Sequence, residues 1–228
     1  MLSYCNNLTL ILIIPLLVTP KTCVFSLCFR IFVVTLQPDD RPAAGGWIYG
    51  GGYWRYFYVS IMEIKVKDDL LAQAAEQGMD EFLDVFVNAI HSAIGGQLNA
   101  ETMALLNADQ ITLLAYRYLR DEVMDGGFIQ LIHNGLGGFI FLNPFARAIR
   151  GWGLAGLSPI INGCHKLYSK YREELEADCS DDEFMALFEK YPEFDKYDDA
   201  FVDGEEGFTS LVAHYVDEHI ENFVTIEE

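Results

Sequence analysis

From Met62 onward the apolar positions recur with the period of an α-helix. Met79, Phe82, Leu83, Phe86, Ile90, Ala93 and Ile94 form one stripe at i, i+3, i+4 and i+7, and Gly95-Gly96 ends it. Asn107 with Gln110 has the form of a capping box, opening a helix through Ile111, Leu114, Ala115 and Tyr118 to about Met124. Asn143-Pro144 reads as a cap with proline at the first helical position. Ser158-Pro159 repeats that signal ahead of a helix through Leu167 and Tyr171. Ser180-Asp-Asp-Glu183 is a second capping box, with acids in the first turn where the helix dipole favours them. Phe184, Leu187, Phe188 and Tyr191 supply its apolar face, and Pro192 stops it. A last helix carries Phe208, Leu211, Val212, Tyr215 and Phe223 on one side. No alternating runs stand at hairpin spacing, and there is no internal repeat. The pattern predicts an all-α fold, a single compact multi-helix domain over residues 62–228.

The first 61 residues read differently, holding six charges against 43 in the rest. The apolar run Leu8 to Val18 is interrupted by Pro15 and closed by Pro20-Lys21. As a helix it is too short for a hydrocarbon core of ~30 Å. A second run, Cys23 to Leu36, carries Arg30. No base precedes Lys21 and no small-x-small cleavage site follows the first run, so a secretory signal does not fit. The aromatic and glycine-rich stretch Trp47 to Tyr58 shows neither a helical nor a strand period. These residues are expected to be an apolar extension, non-native or disordered, lying upstream of a native start at Met62. The competing reading is a membrane-associating leader.

Charge changes the picture most. The chain carries −19 and its excess is segregated: residues 62–171 hold 12 acids and 8 bases, residues 172–228 hold 20 acids and 3 bases. Such a chain repels nucleic acid and anionic membrane surfaces and attracts basic proteins, at a cost in self-repulsion. Direct nucleic-acid binding is excluded, and no membrane association is expected of residues 62–228. Laid out as helix at ~1.5 Å per residue, the last segment carries about one acid per ~4 Å of path, near the ~3.4 Å axial spacing of phosphates on one DNA strand. Phe194, Tyr197, Phe201, Phe208 and Tyr215 interleave the acids, so the segment is folded rather than a tail. Asp195, Asp198, Asp199, Asp203, Glu205, Glu206, Asp217 and Glu218 are the candidate partner-binding residues, and the partner is a basic protein.

Catalytic patterns are missing. His214 and His219 are five apart and do not share a helical face. Cys164-His165 are adjacent and diverge, and Gly135-Leu-Gly-Gly138 lacks the lysine of a phosphate loop. Asp198-Asp199 and Asp203-Gly-Glu-Glu206 lack calcium-loop spacing. The five cysteines match no zinc or redox signature and fit reduced thiols in a cytoplasmic domain. No enzyme, cofactor or metal is expected.

The stretch Tyr116 to Asn134, YRYLRDEVMDGGFIQLIHN, resembles the Glu-Val-x-x-Gly-Gly-Phe-x-Gln-x-x-x-Asn motif of the DMP-type family, small acidic helical bacterial proteins named for a DNA mimic. Glu122, Val123, Gly126, Gly127, Phe128, Gln130 and Asn134 carry the match. The segments EFDKYDDAFVDGEEGF and LVAHYVDEHIENF resemble the family's acidic C-terminal helices more loosely. The similarity runs from about Met79 to Phe223. It implies an α-helical domain, a homodimer, and an acidic surface that occupies the DNA-binding face of a transcription regulator or other basic protein. Read as residues alone, the motif is scaffold. Gly126 supplies a left-handed residue, Gly127 close approach and Phe128 a core anchor, while Gln130 and Asn134 share a face and bond freed backbone groups or Glu122. Two alternatives stand beside the decoy: an immunity-type inhibitor of a basic toxin or nuclease, and an enzyme or ligand domain with a polar pocket at Glu122, Gln130 and Asn134.

Overall fold

The computed structural model describes residues 44–50, 53–59 and 62–227. Strands β1 (Ala44–Gly50) and β2 (Tyr53–Val59) pair antiparallel, from Ala44 with Val59 to Gly50 with Tyr53. The sequence of this stretch carries no strand period. Its apolar residues are consecutive, as in Tyr56-Phe57-Tyr58, so only the pairing reveals the strands. The rest is helical apart from β3 (Lys65–Lys67) and β4 (Thr225–Glu227), which lie side by side in parallel. Three residues are too few to display a period, and their partners come from opposite ends of the helical region. Lys65 and Glu227 close this pairing with an ion pair of 3.0 Å.

Helices α1 (Asp68–Gln77) and α2 (Met79–Ala93) pack on each other, and the stripe predicted for α2 buries Phe82, Leu83, Phe86 and Ile90. A single turn, α3 (Ala100–Met103), leads to α4 (Ala108–His133), the centre of the molecule. Around α4 lie α2, α5 (Gly137–Phe141), α6 (Phe145–Gly151), α7 (Leu157–Leu175) and α9 (Asp195–Glu218). Apolar residues on nearly every face of α4 allow this, with Leu113, Leu114, Leu119, Phe128, Leu131 and Ile132 all buried. Helix α8 (Asp181–Lys190) packs only loosely: Phe184, Leu187 and Phe188 lie against the core but none of its residues is fully buried.

Both predicted capping boxes form. Asn107 Oδ1 accepts from Gln110 N at 2.9 Å while Gln110 Oε1 accepts from Asn107 N at 3.0 Å, and Ser180 and Glu183 exchange the same pair at the start of α8. The α4 cap also holds the C-terminal segment: Asn107 donates to Asn222 O at 2.6 Å and Gln110 to Phe223 O at 2.8 Å. Two predicted caps are replaced. Asn143 donates back to Phe139 O at 2.8 Å, closing the turn between α5 and α6. Ser158 lies buried inside the first turn of α7, which begins at Leu157. Helix α6 thus starts one residue after the predicted position and α7 one residue before its predicted cap.

The first helical half of α4 ends just past Met124, as its pattern predicts: Gly126 (φ −154°, ψ 22°) and Gly127 (φ 75°, ψ −176°) are non-helical, and a second half runs on to His133 beyond this kink. A glycine pair is a usual cause of such a break.

Candidate functional site

The kink frees backbone donors that an unbroken helix would use internally. Phe128 N donates to Asp198 Oδ1 at 2.8 Å, so the first turn of α9 holds the second half of α4. The contact fits only glycine, because a Cβ at Gly127 would lie 2.8 Å from Asp198 Oδ2. The left-handed φ falls on Gly127 rather than on Gly126, to which the sequence assigned it; Gly126 is non-helical with negative φ, and a Cβ there would collide with the Gln130 side chain. Phe128 is fully buried and meets the Phe201 ring edge-on at 6.3 Å. Burial pushes the Asp198 carboxyl up to about 6. The Phe128 N–H opposes that shift, and Asp195 and Asp199 reinforce it.

Glu122, Gln130 and Asn134 bond to one another rather than to backbone. Gln130 Nε2 donates to Glu122 Oε2 at 3.1 Å and to Asp125 Oδ2 at 2.7 Å, and Asn134 Nδ2 donates to Glu122 Oε2 at 2.8 Å. These amides tie the two halves of α4 across the kink. Beside them lies an open depression of about 370 Å³ whose lining includes Asp125, Gln130, His133, Asn134, Asp181 and Phe184.

The predicted acidic residues divide by direction. Asp195, Asp199, Asp203 and Glu206 are all exposed and follow i, i+4, i+8 and i+11 along α9, a stripe about 80° wide. Among the described residues none of these four has an ion-pair partner. Asp217 is exposed further along the helix, and Glu218 lies 3.3 Å from His214. Asp198 and Glu205 instead turn inward. Glu205 meets Arg120 and accepts from Thr209 Oγ1 at 2.7 Å, and Tyr116 OH shares a hydrogen bond of 2.7 Å with Thr209 Oγ1. Arg120 also reaches Asp80 at 2.9 Å, and Arg117 reaches Asp84 at the same distance. Cations of α4 thus join α2 to α9.

The three bases of the last segment are engaged nearby. Lys190 pairs with Glu174, Arg172 lies 3.7 Å from Glu176, and Lys196 sits over the Tyr197 ring at 4.8 Å. Among the described residues none of the three forms an ion pair with the α9 stripe.

A profile of the DMP19-like protein family matches residues 104–219, the span that contains the kink, the Asp198 contact and the stripe. The DNA mimic protein DMP19 of Neisseria meningitidis serogroup B (strain ATCC BAA-335 / MC58) is 33% identical over 132 residues, covering 57% of this chain and 79% of that protein. The chain belongs to the DMP19-like family. Glu122, Gly126, Gly127, Phe128, Gln130 and Asn134, the residues on which the resemblance rested, fall within the family match.

Sequence reasoning passed over Arg117, Arg120 and Met185. The two arginines stand three apart on α4, a spacing that signals one helical face, but their partners lie on α2 and α9. Met185 is 63% exposed on α8, off the apolar face of Phe184, Leu187, Phe188 and Tyr191. Among the described residues no group of three or more His, Cys, Asp or Glu is placed to hold a metal ion, and no helix is long and apolar enough to cross a membrane.

Proposed function

We propose that this protein is an acidic decoy that occupies the DNA-binding surface of a basic protein such as a transcription regulator. The observation that carries it is the exposed α9 stripe of Asp195, Asp199, Asp203 and Glu206. At ~1.5 Å per residue its carboxylates step by about 6, 6 and 4.5 Å. A DNA strand presents phosphates every ~3.4 Å along its axis, so the stripe matches their sign and approaches their order of spacing. The relation to a DNA mimic from Neisseria supports the same reading. Asp217 and Glu218 extend the surface, whereas Asp198 and Glu205 hold the helix in place. Arg117 and Arg120 matter for what they leave alone: they neutralise carboxylates of α2 and α9 without touching the stripe. The reading needs no catalytic residue, cofactor or metal, and its setting is cytoplasmic.

The test is a pull-down from the source cell with the immobilised chain, eluted by a salt gradient and, separately, by duplex DNA. A DNA-binding protein should leave early in the gradient and be displaced by DNA. Neutralising the stripe (Asp195→Asn, Asp199→Asn, Asp203→Asn) should weaken retention by roughly tenfold or more, taking exposed charges at about 0.5 kcal/mol each. Retention indifferent to salt, or a stable complex that also contains DNA, would overturn the reading.

A further inference from the structure

Helix α8 presents a face that the fold leaves open. Its apolar positions Phe184, Leu187 and Phe188 are only half-buried, and Met185 beside them is 63% exposed. Phe184 packs one side on the His133 ring, 4.7 Å between centroids, and lines the open depression of about 370 Å³. Carboxylates frame this apolar centre. Asp181, Asp182 and Glu189 on α8 are exposed, and Asp125 stands on the far wall of the depression. Lys190, the cation of this helix, is paired with Glu174, so no base of α8 offsets that rim.

Methionine and aromatic side chains ringed by acids suit one kind of occupant. The thioether and rings adapt to apolar side chains of varied shape, while the rim demands positive charge beside them. A bare polycation would leave Met185 wet, and an uncharged apolar helix would leave the carboxylates unanswered.

We propose that the α8 face docks a basic amphipathic segment of the partner, whose apolar residues cover Met185 and Phe188 and whose lysines or arginines meet Asp125, Asp181 and Glu189. This rests on the acidic-decoy reading and adds to it a contact that salt does not screen. Apolar burial confers affinity where charge alone is screened, and selects among basic proteins that the α9 stripe attracts alike.

The experiment uses the full chain and two fluorescein-labelled peptides of equal length and charge. One is an amphipathic Leu/Lys helix; the other has every Leu replaced by Gln. Anisotropy titrations run at low salt and at about 0.5 M, where exposed charge pairs are largely screened. The Leu/Lys peptide should hold at high salt while the Gln/Lys peptide is lost. Met185→Gln should reduce the Leu/Lys advantage about fivefold to tenfold, the fraction of a methionine's burial still available at this position, and Met185→Leu should restore it. Met185 is exposed enough for both variants to fold. Equal binding of the two peptides, or an advantage unchanged in Met185→Gln, overturns the α8 proposal and leaves the decoy reading intact. Binding of neither peptide at low salt refutes the decoy reading itself. A wild-type dimer in sedimentation velocity that Met185→Gln dissociates shows that a second copy covers this face, and overturns the proposal as well.

Discussion

Replacing Gly127 with alanine tests the kink of α4 and its contact with α9 together. Gly127 has φ 75° and ψ −176°, a region that side-chain-bearing residues enter at a cost of about 1–3 kcal/mol. The new Cβ would stand 2.8 to 2.9 Å from the Asp198 carboxylate, which has to withdraw from Phe128 N. A hydrogen bond to a charged group contributes about 1.5–3 kcal/mol, and the N–H it leaves lies at a buried residue. Together these place the loss at about 3–5 kcal/mol, near 10 °C in Tm for a protein of this size. Gly135→Ala is the matched control: its φ is 82° but no atom lies within 4 Å of the added Cβ, so it registers left-handed backbone strain of about 1–2 kcal/mol alone. Urea denaturation followed by circular dichroism compares the two. If Gly127→Ala costs no more than Gly135→Ala, the Asp198 contact does not constrain the kink and the reasoning fails.

Three further outcomes follow from the same geometry. Asp198 is raised from 3.8 to about 6, so the fold binds more protons than the unfolded chain across that window, and its stability falls as pH rises through it. The advantage of Asp198→Asn over wild type should therefore grow by about 1–2 kcal/mol between pH 4 and 6.5 and then level off, allowing for partial exposure; a flat difference in pH-stepped denaturation would contradict the assignment. Arg120→Met strands Glu205, whose side chain is 14% exposed, and should cost about 3 kcal/mol, much of it recovered by adding Glu205→Gln. An additive double-mutant cycle would show that the pair is not coupled. Cys164 is fully buried and burial raises its thiol pKa, whereas Cys179 is exposed. Peptide mapping after brief iodoacetamide treatment should find Cys179 alkylated and Cys164 protected until the protein is denatured.

Much of this fold is written in local chemistry. A helical period, two capping boxes and the Gly95-Gly96 stop act within a few residues of themselves, and the chain adopts them as read. The acidic excess after Arg172 is likewise a property of composition. Strands β3 and β4 escaped because three residues carry no period and each exists only through the other. Asn143 and Ser158 show the limit of cap signals: Asn143 bonds back to the preceding turn at Phe139 O, and Ser158 is taken inside α7.

Direction along a helix was the larger omission. Sequence placed eight acids in one candidate set, although the helical period already sets Asp198 and Glu205, seven apart, on the buried face of Phe201 and Val212; packing then supplied their partners. Asp198 turns inward because Gly127 leaves room and an N–H there, and Glu205 because Arg120 waits on a helix far away in the chain. By itself the sequence determined a predominantly helical, acidic domain, since periodicity, caps and charge are local and additive, while the family showed only through the resemblance of its glycine motif. The tertiary structure alone decided what the inward carboxylates Asp198 and Glu205 meet, because a charge's partner is set by which distant segments pack beside it.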